Sequence, residues 1–139
     1  QELQLRFEEP KERELSEAQR TWMTQFIDRF EKVLYGKRFR EPSDGYASFI
    51  DVDSFIDFHW MVEISKNADG YWLSQYMHKD RGKKLTMGPL WDWDNTFGNP
   101  FFGMSRTNEW RFEGASDPDY AWYRRLFEDP DFVQRYSDR

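Results

Sequence analysis

The sequence predicts an α+β fold that is mostly helical and contains one β-hairpin. Two segments, 16–35 and 53–65, carry apolar residues at helical spacing. Two strand-like segments, 71–79 and 83–91, flank an Asp-Arg-Gly turn at 80–82, a pattern typical of a hairpin. Because 38% of the 139 residues are hydrophobic and 19% are aromatic, the chain has enough apolar surface to build a packed core.

Composition excludes several classes of protein and site. The net charge of −6 argues against a nucleic-acid-binding module, which normally presents a basic face. No apolar run approaches the length of a membrane span, so we expect no transmembrane helix. The absence of cysteine rules out disulfides, a thiol nucleophile and a Cys-ligated zinc site.

The charged first segment, 1–15, predicts a linker or the last strand of an upstream lobe, because three apolar residues alternate in it: Leu3, Leu5 and Phe7. Residues 16–139 are expected to form the main body of a single partial domain. The sequence begins at Gln1 without an initiator Met and ends at Arg139 within a predicted helix. We therefore expect a segment truncated at both ends.

Helix boundaries can be assigned from capping residues. Ser16 and Gln19 form a capping-box pattern that starts the first helix, and Gly36 supplies its stop. Asp53 is the predicted N-cap of a second helix that runs to about Ser65. A loop is expected at 37–48, a short helix at 120–128, a turn at 129–130 and a further helix from about 131.

Two aspartates are expected to meet at the open end of the hairpin. Asp69 lies in a turn directly after the second helix, and Asp92 follows the second predicted strand. Paired carboxylates at such a place suit a site for a divalent cation and a phosphate. On an extended backbone Asp94 would point the same way as Asp92 and share the metal, whereas in a turn it would cap the following loop.

The order of these features resembles the CotH kinase family, named for a bacterial spore-coat kinase and found in exported multidomain proteins. The resemblance covers roughly residues 45–139 and rests on five segments: 50–58, 65–71, 76–80, 88–98 and 126–136. Its most specific part is Gly-Pro-Leu-Trp-Asp-Trp-Asp at 88–94.

The resemblance implies roles for individual residues. Asp69 matches the catalytic-loop aspartate of the family, and Asp92 matches its metal-binding aspartate. In protein kinases an Asn five residues after the catalytic Asp holds a second Mg²⁺, and that position is Ser74 here. Asn67 is a further candidate for cofactor binding, and Asp94 is a further candidate metal ligand.

The resemblance also implies a fold and an activity. The fold would be the C-terminal-lobe-like part of an atypical protein-kinase-like fold, and the parent protein would use ATP and Mg²⁺ to phosphorylate Ser or Thr of a protein substrate. A secreted or cell-surface location in a bacterium is implied as well. No G-x-G-x-x-G pattern occurs in the sequence. We therefore expect the phosphate-covering loop and its Lys in an upstream lobe, and the isolated chain to be inactive.

Other functions remain open. A non-catalytic kinase-like module for binding or surface assembly is favoured by Ser74 in place of Asn. A carbohydrate-binding module or glycosidase would use the Trp residues and paired acids. An EF-hand beginning at Asp92 is excluded, because Phe97 and Gly103 stand where Gly and Glu are required.

Structural roles are the alternatives for single residues. Asp69 could cap the turn after the helix, and Glu63 with Lys66 could form an exposed pair on the helix surface. His59 and His78 lack metal-ligand spacing, so helix packing and a position on a strand surface are expected. The Trp residues are expected to pack in the core or along the hairpin.

Overall fold

The computed structural model describes residues 5–99, 108–115 and 117–139. Within these ranges the chain is helix-rich and carries a two-stranded antiparallel hairpin, which agrees with the α+β class. The α-helices and strands are α1 (Glu17–Leu34), α2 (Val52–Ser65), β1 (Met77–His78), β2 (Thr86–Met87), α3 (Asp117–Leu126) and α4 (Pro130–Ser137). Short 3-10 helices occupy Glu12–Glu14, Tyr46–Ser48 and Arg111–Gly114.

Helix α1 begins with the predicted capping box. The Ser16 hydroxyl accepts a hydrogen bond from the Gln19 amide at 3.3 Å, and the Gln19 side-chain oxygen accepts one from the Ser16 amide at 2.9 Å. Two amide groups that have no partner inside the helix are thereby satisfied. The predicted helix at 16–35 is confirmed.

The N-cap of helix α2 lies two residues before the predicted one. Asp51 is the cap, because its carboxylate accepts a hydrogen bond from the Ser54 amide at 3.3 Å. Asp53 lies in the first turn and pairs with Arg135 of α4 at 2.7 Å. The prediction of Asp53 as the N-cap is therefore wrong, although a carboxylate in the first turn still interacts favourably with the helix dipole.

The hairpin is present but much shorter than predicted. Met77 pairs with Met87 and His78 pairs with Thr86. Residues 71–74 form turns instead of a strand, because the amides of residues 72–74 donate to the Asp69 carbonyl. The high β-propensity of Trp, Tyr and Leu did not outweigh these local hydrogen bonds.

The C-terminal helices lie close to their predicted positions. α3 starts three residues earlier than expected, and α4 starts at Pro130 with Asp129 as its N-cap. Pro at the first helical position is favoured, because its missing N–H would have no partner there. A linker or a strand was expected at 1–15; among residues 5–15 the structure has a 3-10 helix at Glu12–Glu14 and no strand, and Leu3 lies outside the described residues.

Helix α2 lies at the centre of the core. It contacts β2, and α1 contacts α3. The buried core is rich in aromatic rings, and its fully buried apolar members include Phe30, Leu34, Ile50, Phe55, Ile56, Val62, Leu85, Tyr123, Leu126 and Phe132. No helix in the described ranges combines the length and the apolar character needed to cross a bilayer.

Candidate active site

The chain reverses direction directly after α2 and places Asp69 in a tight loop. Lys66 ends the helix in the left-handed conformation, with φ 55°. The Asn67 side-chain oxygen accepts a hydrogen bond from the Asp69 amide at 2.9 Å, a turn that Asn commonly stabilises. The Asp69 carbonyl accepts hydrogen bonds from the amides of residues 72–74, each at 3.0 Å. The Asp69 backbone is therefore fixed on both sides.

The Asp69 carboxylate is buried, with 6% of the residue exposed. Its Oδ2 atom accepts a hydrogen bond from the Asn95 side-chain amide at 2.8 Å, and the Asn95 carbonyl accepts one from the Ala68 amide at 3.1 Å. Its Oδ1 atom is shielded from solvent and has no hydrogen-bond partner among the described residues. An unsatisfied buried acceptor costs about 1–3 kcal/mol, so such an atom calls for an explanation in function or in a bound molecule.

The segment 92–99 docks on the C-terminal end of α2. The Trp93 indole N–H donates to the Ser65 hydroxyl at 3.0 Å, and the Phe97 amide donates to the Ser65 carbonyl at 2.7 Å. The Trp93 ring packs edge-on against Phe58. These contacts hold Asn95 beside the Asp69 loop.

Backbone strain is concentrated in the same two segments. Across the described ranges, the non-glycine residues with positive φ are Lys66 at 55°, Asp92 at 58° and Phe97 at 49°. The left-handed conformation costs a side-chain-bearing residue roughly 1–2 kcal/mol. Because strain of this kind persists mainly at functional sites, its location marks the region around Asp69 as a candidate site.

Asp92 and Asp94 are both exposed, and they do not lie on an extended strand. Asp92 has positive φ, residues 93–94 form a turn, and the Asp94 carbonyl accepts a hydrogen bond from the Asn99 side chain at 3.2 Å. The extended backbone that would aim both carboxylates in one direction is therefore absent here. Asn95, and not Asp92, makes a hydrogen bond to the Asp69 carboxylate.

The two remaining candidates, Asn67 and Ser74, are buried in the loop. The Asn67 oxygen is occupied by the Asp69 amide, and its Nδ2 atom has no partner among the described residues. An amide nitrogen is a hydrogen-bond donor, so this atom suits a phosphate or carboxylate oxygen and not a metal ion. Ser74 is 1% exposed, and its amide donates to the Asp69 carbonyl. Within the described ranges, no cluster of three or more His, Cys, Asp or Glu side chains is arranged to hold a metal ion.

A buried carboxyl group on α2 binds the segments that flank the Asp69 loop. Glu63 is 2% exposed, and its carboxylate accepts hydrogen bonds from the Tyr71 hydroxyl and from the amides of Arg111 and Phe112. The expectation of an exposed pair between Glu63 and Lys66 is therefore wrong. The residues at 71 and 110–112 cover the face of α2 that carries Glu63. The sequence of the helix alone does not reveal this cover.

Sequence reasoning missed two residues next to the candidate site. Asn95 had a local signal, because it directly follows the Trp-Asp-Trp-Asp block. Arg111 had none: its side chain donates to the carbonyls of Asn67 and Ala68, more than 40 positions earlier in the chain. Contacts over that separation depend on the tertiary fold.

A family model described as CotH kinase protein matches residues 1–139, which extends the resemblance at 45–139 to the whole sequence. No curated protein and no solved structure gave a significant match.

Proposed function

The chain belongs to the CotH kinase family, and from this premise we propose that it is the substrate-positioning part of a secreted bacterial protein kinase. The parent protein would transfer the γ-phosphoryl group of ATP to Ser or Thr of a protein. The observation that carries the proposal is the Asp69 carboxylate, which is buried, oriented by Asn95 and left with one unsatisfied oxygen among the described residues.

Asp69 acts on the acceptor hydroxyl in this proposal. Asn95 fixes Oδ2, so the lone pairs of Oδ1 are available to accept the hydroxyl hydrogen and to orient its oxygen toward the phosphate. Because Oδ1 is shielded from solvent, substrate binding must open a path to it by moving neighbouring side chains.

Asp92 is the proposed ligand of Mg²⁺. Mg²⁺ is usually held by one or two carboxylates together with substrate phosphates, and the exposed carboxylate of Asp92 fits that requirement. Asp94 is not included, because the turn at 93–94 replaces the extended backbone on which it would share the ion. The ion would neutralise the charge of the phosphate oxygens. Asn67 and Ser74 complete the proposed cofactor-binding set, the former as a donor to a phosphate oxygen.

The fold assignment belongs to the same proposal. Residues 16–139 correspond to the C-terminal lobe of a kinase-like fold, and 1–15 connect it to a nucleotide-binding lobe. The helix-rich architecture with one hairpin supports this assignment. The phosphate-covering loop of a kinase would then come from the other lobe.

A non-catalytic binding module is the second candidate. Three large aromatic side chains near the Asp69 loop and in the 91–97 segment are strongly exposed: Trp72 at 61%, Trp91 at 61% and Phe97 at 73%. Exposed apolar side chains of this size are typical of interaction surfaces. A binding module would use them and would not depend on the Asp69 charge.

The two candidates are separated by Asp69→Asn in the full protein, assayed with radiolabelled ATP, Mg²⁺ and dephosphorylated casein. Asn keeps the shape of the side chain and an oxygen for Asn95, but it removes the charge that receives the proton. We expect labelling to fall by about 10²–10⁴-fold. The control is Asp57→Asn in α2, which removes an exposed ion pair with Arg139 and should leave labelling unchanged. Equal labelling in Asp69→Asn and wild type would refute the kinase proposal and favour the binding module.

A further inference from the structure

We propose that Arg111, anchored by Glu63, is the positioning residue that sets the backbone of the Asp69 loop. The inference rests on the proposed function, because it assigns a role in the same phosphoryl transfer. Neither residue makes a hydrogen bond to the Asp69 carboxylate in this structure. Both act on the chain that carries it.

The Arg111 guanidinium spans the two peptide units that precede Asp69. Its Nε atom donates to the Asn67 carbonyl at 3.1 Å, and an Nη atom donates to the Ala68 carbonyl. Carbonyls that follow the end of a helix lack helical partners and need an external donor. A planar fork with fixed donors holds two carbonyls in a defined relative orientation, which a Lys ammonium cannot do.

Glu63 fixes the backbone from which Arg111 reaches the loop. Its Oε2 atom accepts a hydrogen bond from the Arg111 amide at 2.6 Å, and its Oε1 atom accepts one from the Phe112 amide at 2.9 Å. Oε1 also accepts a hydrogen bond from the Tyr71 hydroxyl at 2.7 Å. A single buried carboxylate on α2 therefore holds both the base of Arg111 and the residue two positions after Asp69.

The position of Asp69 thus has two separate supports. Asn95 orients the carboxylate, whereas Arg111 orients the peptide units that lead into it. A shift of about 1 Å in a catalytic group can lower the rate about 100-fold even when the mutated residue is distant from the reacting atoms. Loss of the Arg111 fork should therefore lower kcat.

The experiment uses Arg111→Lys in the full protein, because Lys keeps the charge and removes the fork. Arg125→Lys is a matched control: Arg125 also holds two backbone carbonyls, those of Leu34 at 3.0 Å and Gly36 at 3.2 Å, but at the end of α1. We expect kcat to fall about 100-fold in Arg111→Lys and to stay unchanged in Arg125→Lys. Amide hydrogen exchange at residues 72–74 should become faster in Arg111→Lys and not in Arg125→Lys.

A rescue experiment separates positioning from a general loss of structure. Arg111→Ala removes the guanidinium group from between the two carbonyls, and added guanidinium ion at millimolar concentration should restore part of kcat. The same concentration should not raise the kcat of Asp69→Asn. If Arg111→Ala does not fold, Arg111→Lys with its exchange measurement carries the test.

The outcomes distinguish the inference from the function on which it rests. Unchanged kcat in Arg111→Lys, together with loss of activity in Asp69→Asn, would overturn the inference and leave the proposed function standing. A fall in kcat without faster exchange at 72–74 would also overturn it, because the loop would have kept its position. Unchanged kcat in Asp69→Asn would overturn both.

Discussion

Tyrosine hydroxyls lie beside both ring nitrogens of His59 in the aromatic core. Nε2 lies 2.6 Å from the Tyr120 hydroxyl, and Nδ1 lies 2.9 Å from the Tyr136 hydroxyl. A neutral imidazole has one donor and one acceptor, so one hydroxyl accepts a hydrogen bond and the other donates one. Burial lowers the pKa of His59 to about 3, which keeps the ring neutral at neutral pH. His59 thus connects α2 to both α3 and α4.

The depressed pKa of His59 predicts a loss of stability in mild acid. Because the folded-state pKa lies below the unfolded value near 6.5, the unfolded chain binds the extra proton between these two values. Stability from this residue is complete above pH 6.5 and falls as the pH decreases. Lowering the pH from 7 to 5 should reduce the free energy of unfolding by about 2 kcal/mol, as measured by urea denaturation.

The control for this prediction is the exposed histidine. His78→Gln removes the other histidine of the chain, which is exposed on the hairpin, and is measured beside the wild type. Between pH 7 and pH 5 the free energy of unfolding of His59→Gln should depend less steeply on pH than that of the wild type, whatever the absolute stability of the variant. If the free energy of unfolding of His59→Gln depended on pH as steeply as that of the wild type, the loss of stability in acid would belong to groups other than His59.

Single residues also show what the sequence could and could not reveal. The burial of His59 follows from its position among the apolar residues of α2, so its packing role could be predicted. The burial of Glu63 could not, because its partners at 71 and 110–112 come from outside the helix. Asp69 was identified by its turn and by the family resemblance, but neither of these indicated its contact with Asn95.

At the scale of elements, the loop after α2 fits closely against the helix that precedes it. A Cβ atom added at Gly70 would lie 2.7 Å from both Cγ atoms of Val62, a fully buried residue. Side-chain atoms do not approach this closely without displacement. Gly70 is therefore required for the close approach of the loop, next to the residue that carries the proposed chemistry.

Gly70→Ala should destabilise the protein by about 1–3 kcal/mol through overpacking. The measurement is the free energy of unfolding by denaturant. Val62→Ala removes the two atoms that the new methyl group would meet, so the double variant should be more stable than the sum of the single effects predicts. Additive effects would show that the added methyl group is accommodated elsewhere.

Elements with local signals were predicted best. The capping box at Ser16 and the Asp129-Pro130 turn each contain their own stabilising contacts, so they could be read from a few neighbouring residues. The hairpin turn was found as well, but the strand lengths were not. Strand β1 begins only at Met77, because the upstream amides of 72–74 donate to the Asp69 carbonyl. Strand propensity does not encode that contact.

At the scale of the whole molecule, the site is assembled from segments far apart in sequence. Three segments meet around Asp69: the end of α2 with its following loop (65–70), the segment 92–99 and the 3-10 helix at 111–114. The sequence predicted that the first two would converge, because a hairpin joins them, and the third carried no signal. Metal binding at this assembled site, with Asp92 as a ligand, stays a prediction.

Mg²⁺ binding would stabilise the whole fold, because a ligand that binds only the folded state shifts the unfolding equilibrium. At a Mg²⁺ concentration ten times its dissociation constant, the free energy of unfolding should rise by about 1.4 kcal/mol. Asp92→Asn should abolish this increase, since Asn tolerates the positive φ of 58° at this position but lacks the charge. The measurement is thermal unfolding across a Mg²⁺ titration at constant ionic strength. Constant ionic strength is essential, because any cation screens a chain with a net charge of −6.

Asp80→Asn provides the matched control for this last prediction. Asp80 is also an exposed aspartate beside a turn, at the opposite end of the hairpin from Asp92. Asp80→Asn and Asp92→Asn change the net charge by the same amount, so a general response of stability to Mg²⁺ would change equally in both variants. A specific site requires that the stabilisation disappear in Asp92→Asn and persist in Asp80→Asn. Equal stabilisation in the wild type and both variants would remove Asp92 as the metal ligand, and Asp69 would remain the part of the proposed site that the structure supports.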